Sequence, residues 1–203
     1  MESSVDCRGV SMRLWLIDAG YLFNAQRSVG PGYHFDYLKL RRKLEESGPL
    51  WRAYYLNATA HPPNDVQDAF HNWLRSASPR GPQLITKLYE VKQVRADSAY
   101  CEECQTKVNL TCPRSAAHHI GNQQQKGVDV GIATLALIHR ERYATLMLSS
   151  GDADLLDAVE FLSEQGKRIE LAVFSEGVST ELQARADQVY WINDFADEVG
   201  RDQ

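Results

Sequence analysis

Thr145-Leu146-Met147-Leu148-Ser149-Ser150-Gly151-Asp152-Ala153-Asp154 is the stretch that decides the fold. Its apolar first half has the length of a buried strand, and Ser150-Gly151 turns the chain at the strand's end. The residues that follow, 154 to 165, place Leu155, Val159 and Leu162 on one helical face, with Gly166 as the expected C-cap. A strand thus runs directly into a helix, and the same grammar repeats outward. Downstream, 168–174 reads as a strand, 179–185 as a short helix and 188–192 as a last strand. Upstream, Val128, Ile132, Leu135 and Ile138 share a helical face. Earlier still, Arg13-Leu14-Trp15-Leu16-Ile17 is a buried strand closed by Asp18 and broken by Gly20. A helix over 34–47 stops at Gly48-Pro49, and a strand covers 50–57. A helix capped by Asn64, with Gln67 in the capping-box position, runs to about Ser76, and 84–94 forms a third strand or strand pair. Strands alternating with helices at this spacing pair in parallel, which implies a three-layer α/β/α, Rossmann-like domain with a mainly parallel central sheet.

The chain has 203 residues, which suits one domain plus about fifty residues of extra material. The domain is expected over 13–195, between a polar leader (1–12) and a short tail (196–203), with a Cys/His-containing insert at 95–125. Lysine and arginine number 22 against 27 aspartate and glutamate, for a net charge of −5, which argues against holding nucleic acid by bulk charge. Apolar runs are too short for a membrane span, and the leader lacks the apolar run of a secretory signal. A cytoplasmic protein is therefore expected, with its cysteines serving metal or thiol chemistry rather than disulfides.

Chemistry concentrates at strand ends. Asp18 closes one strand, Asp152 and Asp154 follow another, and Asp129 lies in the first turn of the helix after the insert. In open α/β sheets ligand sites form beyond the C-terminal strand ends, so these four can meet. Aspartates gathered in one place repel one another, and a hard divalent cation, Mg²⁺ or Mn²⁺, relieves that repulsion. Taken singly, each has a plainer role: Asp154 as a helix N-cap, Asp129 as a partner of the helix dipole. The basic group Lys39, Arg41, Arg42 and Lys43 reads as a solvated helix face or as contacts to phosphates.

Three segments resemble the acidic motifs of NYN domains, the LabA-like branch of the PIN-like nucleases. They are Leu16-Ile17-Asp18-Ala19-Gly20-Tyr21-Leu22, Lys126-Gly127-Val128-Asp129-Val130 and Leu148-Ser149-Ser150-Gly151-Asp152-Ala153-Asp154. The resemblance spans about residues 13–192 and implies a PIN-like fold and a metal-dependent endoribonuclease, with Asp18, Asp129, Asp152 and Asp154 holding Mg²⁺ or Mn²⁺. One or two such ions would activate a water for attack on an RNA phosphodiester and stabilise the charge that develops. Tyr21 departs from the family's asparagine. Asn24, one helical turn on, is a substitute polar contact, and Tyr21 a candidate base-stacking residue. Ser150 and Lys126 complete the candidate substrate contacts. The partner implied is single-stranded or structured RNA; a homodimer is one option for the assembly.

The insert carries Cys101-x2-Cys104-x7-Cys112 and then His118-His119. CxxC spacing suits one tetrahedral zinc, with Cys112 and either histidine completing the set and Cys7 a further option for the fourth ligand. A redox-active thiol pair and unligated surface thiols are the alternatives. Two other functional classes stay open: a catalytically weak RNA- or protein-binding regulator, and a phosphohydrolase acting on a small phosphate ester.

Overall fold

The computed structural model describes residues 12–59, 65–77, 81–124 and 126–202. Cys7 and the expected cap Asn64 lie outside these residues. Six strands form one sheet: β1 (Arg13–Asp18), β2 (Leu50–Thr59), β3 (Ile85–Glu90), β8 (Thr145–Ser149), β9 (Arg168–Val173) and β10 (Gln188–Trp191). Between β3 and β8 lie four short strands, β4 (Lys92–Arg95), β5 (Ser98–Cys101), β6 (Thr106–Asn109) and β7 (Gly121–Gln124). The helices are α1 (Ala19–Ala25), α2 (Tyr37–Glu45), α3 (Asp65–Arg75), α4 (Val128–Ile138), α5 (Leu156–Glu164), α6 (Thr180–Arg185) and α7 (Ala196–Val199).

The sheet order is β10-β9-β8-β1-β2-β3, and each neighbouring pair runs parallel. Counted along the chain within this sheet, that is the doubly wound order, with strand direction of winding reversing between β1 and β8. Alternation along the strands sorts the core into two faces. Leu14, Leu16, Leu56, Leu146, Leu148 and Leu171 pack against α4, α5 and α6. Trp15, Ile17, Tyr55, Met147 and Ala172 pack on the other side with residues of α1, α2, α3 and α7. The expected three-layer α/β/α domain is what the chain forms.

One charged pair is built into the second face. Arg13 is 4% and Glu170 7% exposed at the side chain, with Nη2 2.6 Å from Oε2. The same guanidinium donates to the carbonyls of Leu44 and Gly48, at 2.9 and 2.7 Å, so it also serves the orphan carbonyls at the end of α2. This pair joins β1 to β9 across the intervening β8.

Four details differ from the sequence reading. Residues 19–25 are helical, because Asp18 accepts from the Tyr21 N–H and starts a turn that Gly20 does not interrupt. Helix α2 begins at Tyr37 rather than His34, since Asp36 caps it through the N–H groups of Leu38 and Lys39. Ile138 does not face the core: it is 61% exposed, while Val128, Ile132, Leu135 and Ala136 are buried. The insert is ordered into two antiparallel ribbons, β4–β7 and β5–β6, whose local pairing leaves no sustained hydrophobic period to read.

Candidate metal centre

The four aspartates approach from three directions at the C-terminal edge of the sheet, on either side of the β1–β8 switch. Asp18 ends β1 and caps α1, accepting from the Tyr21 N–H at 3.0 Å. Burial pushes its carboxyl above the ordinary value of 3.8; the charges of Asp129 and Asp152 add to the rise, and hydrogen bonds from the Tyr21 and Gly20 N–H groups oppose it. Asp129 stands in the first turn of α4. Its carboxyl is also raised, first by burial and then by Asp152, with a further contribution from Asp154. The charge of Asp152 thus reaches both Asp18 and Asp129, and that of Asp154 reaches Asp129, although the residues come from separate motifs.

Local backbone rules explain each placement. Gly127, at φ +95, takes the left-handed conformation that turns the chain into α4. Gly151 is required by crowding: a Cβ there would meet the Gly177 carbonyl oxygen and sit 2.8 Å from Tyr21 Cε2. The cap expected of Asp154 belongs to Asp152, whose carboxylate accepts from the Asp154 N–H at 3.0 Å. Asp154 is left exposed at the mouth.

The substrate-contact residues divide. Ser150 is fully buried, and its hydroxyl accepts from the Asp152 N–H at 3.3 Å, so it shapes the turn. Ser149, also buried, accepts from Trp15 Nε1 at 2.9 Å. Tyr21 is half-buried, packs against both faces of the core and donates its hydroxyl to the Phe174 carbonyl at 2.9 Å. It acts as a strut between α1 and the end of β9, which leaves little ring face for a base. Asn24 and Lys126 are exposed beside the cleft-forming segments. Much of the basic face of α2 is occupied: Arg41 pairs with Glu45, Lys43 with Glu46 and Glu198, and Lys39 with Asp202.

In the insert, Cys101 ends β5 and Cys104 lies within the β5–β6 turn, where Gln105 has φ +53. The Cys104 thiol is lowered by hydrogen bonds from Thr106 and then Cys101. Cys112 Sγ lies 3.5 Å from His118 Nδ1, while His119 meets Arg95. The structure thus makes two pairs, Cys101–Cys104 and Cys112–His118, and directs His119 elsewhere. Among the described residues no three His, Cys, Asp or Glu side chains are gathered tightly enough to hold an ion between them. The aspartates share charge across a cleft rather than forming a closed cage.

Fold and site together define a doubly wound domain with aspartates gathered near its switch point. The sequence profile of the NYN domain family matches residues 14–193, and the chain belongs to that nuclease-like family. No curated protein matches the chain significantly. Among solved structures, a protein of unknown function (VPA0982) from Vibrio parahaemolyticus superposes with a TM-score of 0.66 at 18% identity. The match covers 97% of this chain and all of that one, and it supports the fold. Among the described residues no helix is long and apolar enough to cross a membrane.

Proposed function

We propose that the protein is a divalent-metal-dependent endoribonuclease whose centre is the cleft of Asp18, Asp129, Asp152 and Asp154. The observation that carries this reading is the convergence of four carboxylates from three motifs on the switch point, where burial and mutual charge raise Asp18 and Asp129. A purely structural cluster would gain nothing from that repulsion, whereas all-oxygen donors with unrelieved negative charge fit Mg²⁺ or Mn²⁺. These four residues would hold the ion, which when bound supplies an acidified water and charge stabilisation at the phosphate.

The chain's own groups do the positioning. The Tyr21 N–H holds the Asp18 carboxylate, and the Asp154 N–H holds that of Asp152; loading an ion would draw the four carboxylates closer together. Asp129, on the first turn of the eleven-residue α4, stands at the positive end of the helix dipole, which also favours an incoming phosphate. Lys126, just before Gly127, and Asn24 extend the polar rim on either side. RNA as the substrate follows from the family's nuclease-like character, and the acidic surface restricts binding to the metal-loaded cleft. In the insert, a zinc ion would draw the Cys101–Cys104 and Cys112–His118 pairs together into one tetrahedral set.

Labelled RNA, single-stranded DNA and duplex DNA incubated with Mn²⁺, Mg²⁺ or EDTA test the reading, beside an Asp152→Asn variant. Cleavage of RNA with metal is expected, with a loss of at least a hundredfold in the variant, on the order of one lost transition-state contact. Cleavage that persists in EDTA or in the variant overturns the mechanism. Binding without cleavage of any substrate points instead to a regulatory RNA-binding role. Zinc content measured on protein purified without chelators tests the insert, and a stoichiometry near zero removes zinc.

A further inference from the structure

Beside the acidic cleft, on the other side of Asp18, a hollow of about 620 Å³ opens between α1, α3 and the end of β2. Its walls begin at Ala19 and Gly20, the two residues after Asp18. Tyr55 and Tyr37 are among the lining residues, and the charge of Asp18 reaches both hydroxyls, so hollow and cleft adjoin. Phe23 and Phe70 also line it. Phe23 is 56% exposed, so much of its ring is open to solvent at the wall of the hollow.

The lining chemistry selects an occupant. Aromatic rings alternate with the side-chain amides of Asn24 and Asn57, and Asn57 already donates to the Tyr55 hydroxyl at 3.1 Å. No carboxylate lines the hollow among the described residues, and Arg201 is its one fixed positive charge. A phosphate group calls for more donors and cations than this, and an aliphatic ligand has no use for the amides. A flat, neutral heterocycle with hydrogen-bonding edges uses both. The volume falls within the roughly 300–1,000 Å³ of ordinary ligand pockets, enough for a base together with its sugar.

We propose that this hollow takes one unpaired nucleobase of a strand whose phosphate backbone passes the aspartates. The inference rests on the nuclease reading for its neighbouring phosphate and deepens it by assigning a base-binding subsite beside the aspartates. A base within a duplex is stacked and paired and cannot enter; a base in a loop or single strand can turn out of the chain and lie on Phe23.

The test uses the full chain with Ca²⁺ in place of Mg²⁺, so that the aspartates are loaded while the RNA stays intact. Affinity for a dye-labelled, uridine-rich single strand and for a duplex of the same length is read by fluorescence anisotropy. A matching strand carrying 5-iodouracil is irradiated, and the cross-linked peptide is identified by mass spectrometry. Expected are a cross-link at Phe23 or Phe70, and single-strand binding weakened about tenfold by Phe23→Ala, the scale of one base–aromatic stack. Phe23→Trp, which keeps the ring, should restore affinity, and duplex binding should be weak and indifferent to both changes. Because Phe23 is largely exposed, loss of folding is not expected, and thermal melts of both variants check it. Unchanged single-strand affinity in Phe23→Ala, or cross-links confined to other surfaces, overturns the proposal, as does the absence of single-strand binding. If the protein cleaves nothing with Mg²⁺ or Mn²⁺ yet the Phe23-dependent binding and cross-link are found, the base site stands and the catalytic reading fails.

Discussion

Asp18 does two jobs that oppose each other. As the N-cap of α1 it accepts the Tyr21 N–H, and as one of four neighbouring carboxylates it sits where ionisation is penalised, chiefly by burial. Its folded pKa lies above that of the unfolded chain, so the folded state binds the extra proton. The associated stability is fully present below about the ordinary value of 3.8 and is lost as pH rises through the folded value. Asparagine keeps the cap without the charge. Asp18→Asn is therefore expected to raise the Tm of the metal-free protein at neutral pH, with the advantage shrinking as pH falls toward the ordinary carboxylate range. The same variant should lose metal-dependent cleavage. Thermal melts in EDTA across pH, beside the cleavage assay, check both halves. Legibility at this scale was uneven. All four aspartates could be picked out from strand ends and motif spacing, because a carboxylate after an apolar run is conspicuous. The turn at Ser150-Gly151 was readable as well, since the Ser150 hydroxyl meets the Asp152 N–H two residues on. That Tyr21 braces Phe174 was not, since that partner is brought close only by folding.

At the scale of elements, two devices hold the frame around the cleft. The Arg13–Glu170 pair ties β1 to β9 and closes the end of α2. Removing one member leaves the other buried and unpaired, so Arg13→Met is expected to cost about 3–5 kcal/mol in urea denaturation. An Arg13→Met, Glu170→Leu double variant should recover much of that loss, because the stranded charge is gone. The insert is the second device, and it is separable. β4 and β7 pair antiparallel, with Arg95 opposite Gly121, so the chain leaves and re-enters the domain at one point. Replacing residues 96–120 by Asn-Gly should convert β4–β7 into a simple hairpin with a two-residue turn and leave the Tm of the six-stranded domain within a few degrees. A collapse of the domain on excision would show instead that the insert is part of the core. The strands and long helices of this frame were readable from period and caps. Helix α1 was not, because Gly20 mimics a break, while its cap, Asp18, reads in the sequence only as the end of a strand.

For the whole molecule, the net charge of −5 takes on a local meaning. On the proposed function, the repulsion concentrated at the switch point would couple folding to metal binding, since the unfolded chain does not gather these carboxylates. Mn²⁺ at a hundredfold excess over its Kd is expected to stabilise the protein by about 2.7 kcal/mol, or roughly 5–10 °C in Tm for a chain of this size. Asp152→Asn should shrink that shift sharply. An equal rise in both proteins would place the cation elsewhere on the surface. The sequence by itself determined the α/β class, the two-faced strands and the identity of the acidic residues, because these follow from local periodicity and from where charge interrupts it. Only the tertiary structure decided the winding order that brings Asp18 beside Asp152, the hydrogen bond that turns Tyr21 into a support, and the aromatic hollow at Phe23. Each of these rests on neighbours more than thirty residues apart, and no local pattern encodes which distant surfaces will meet.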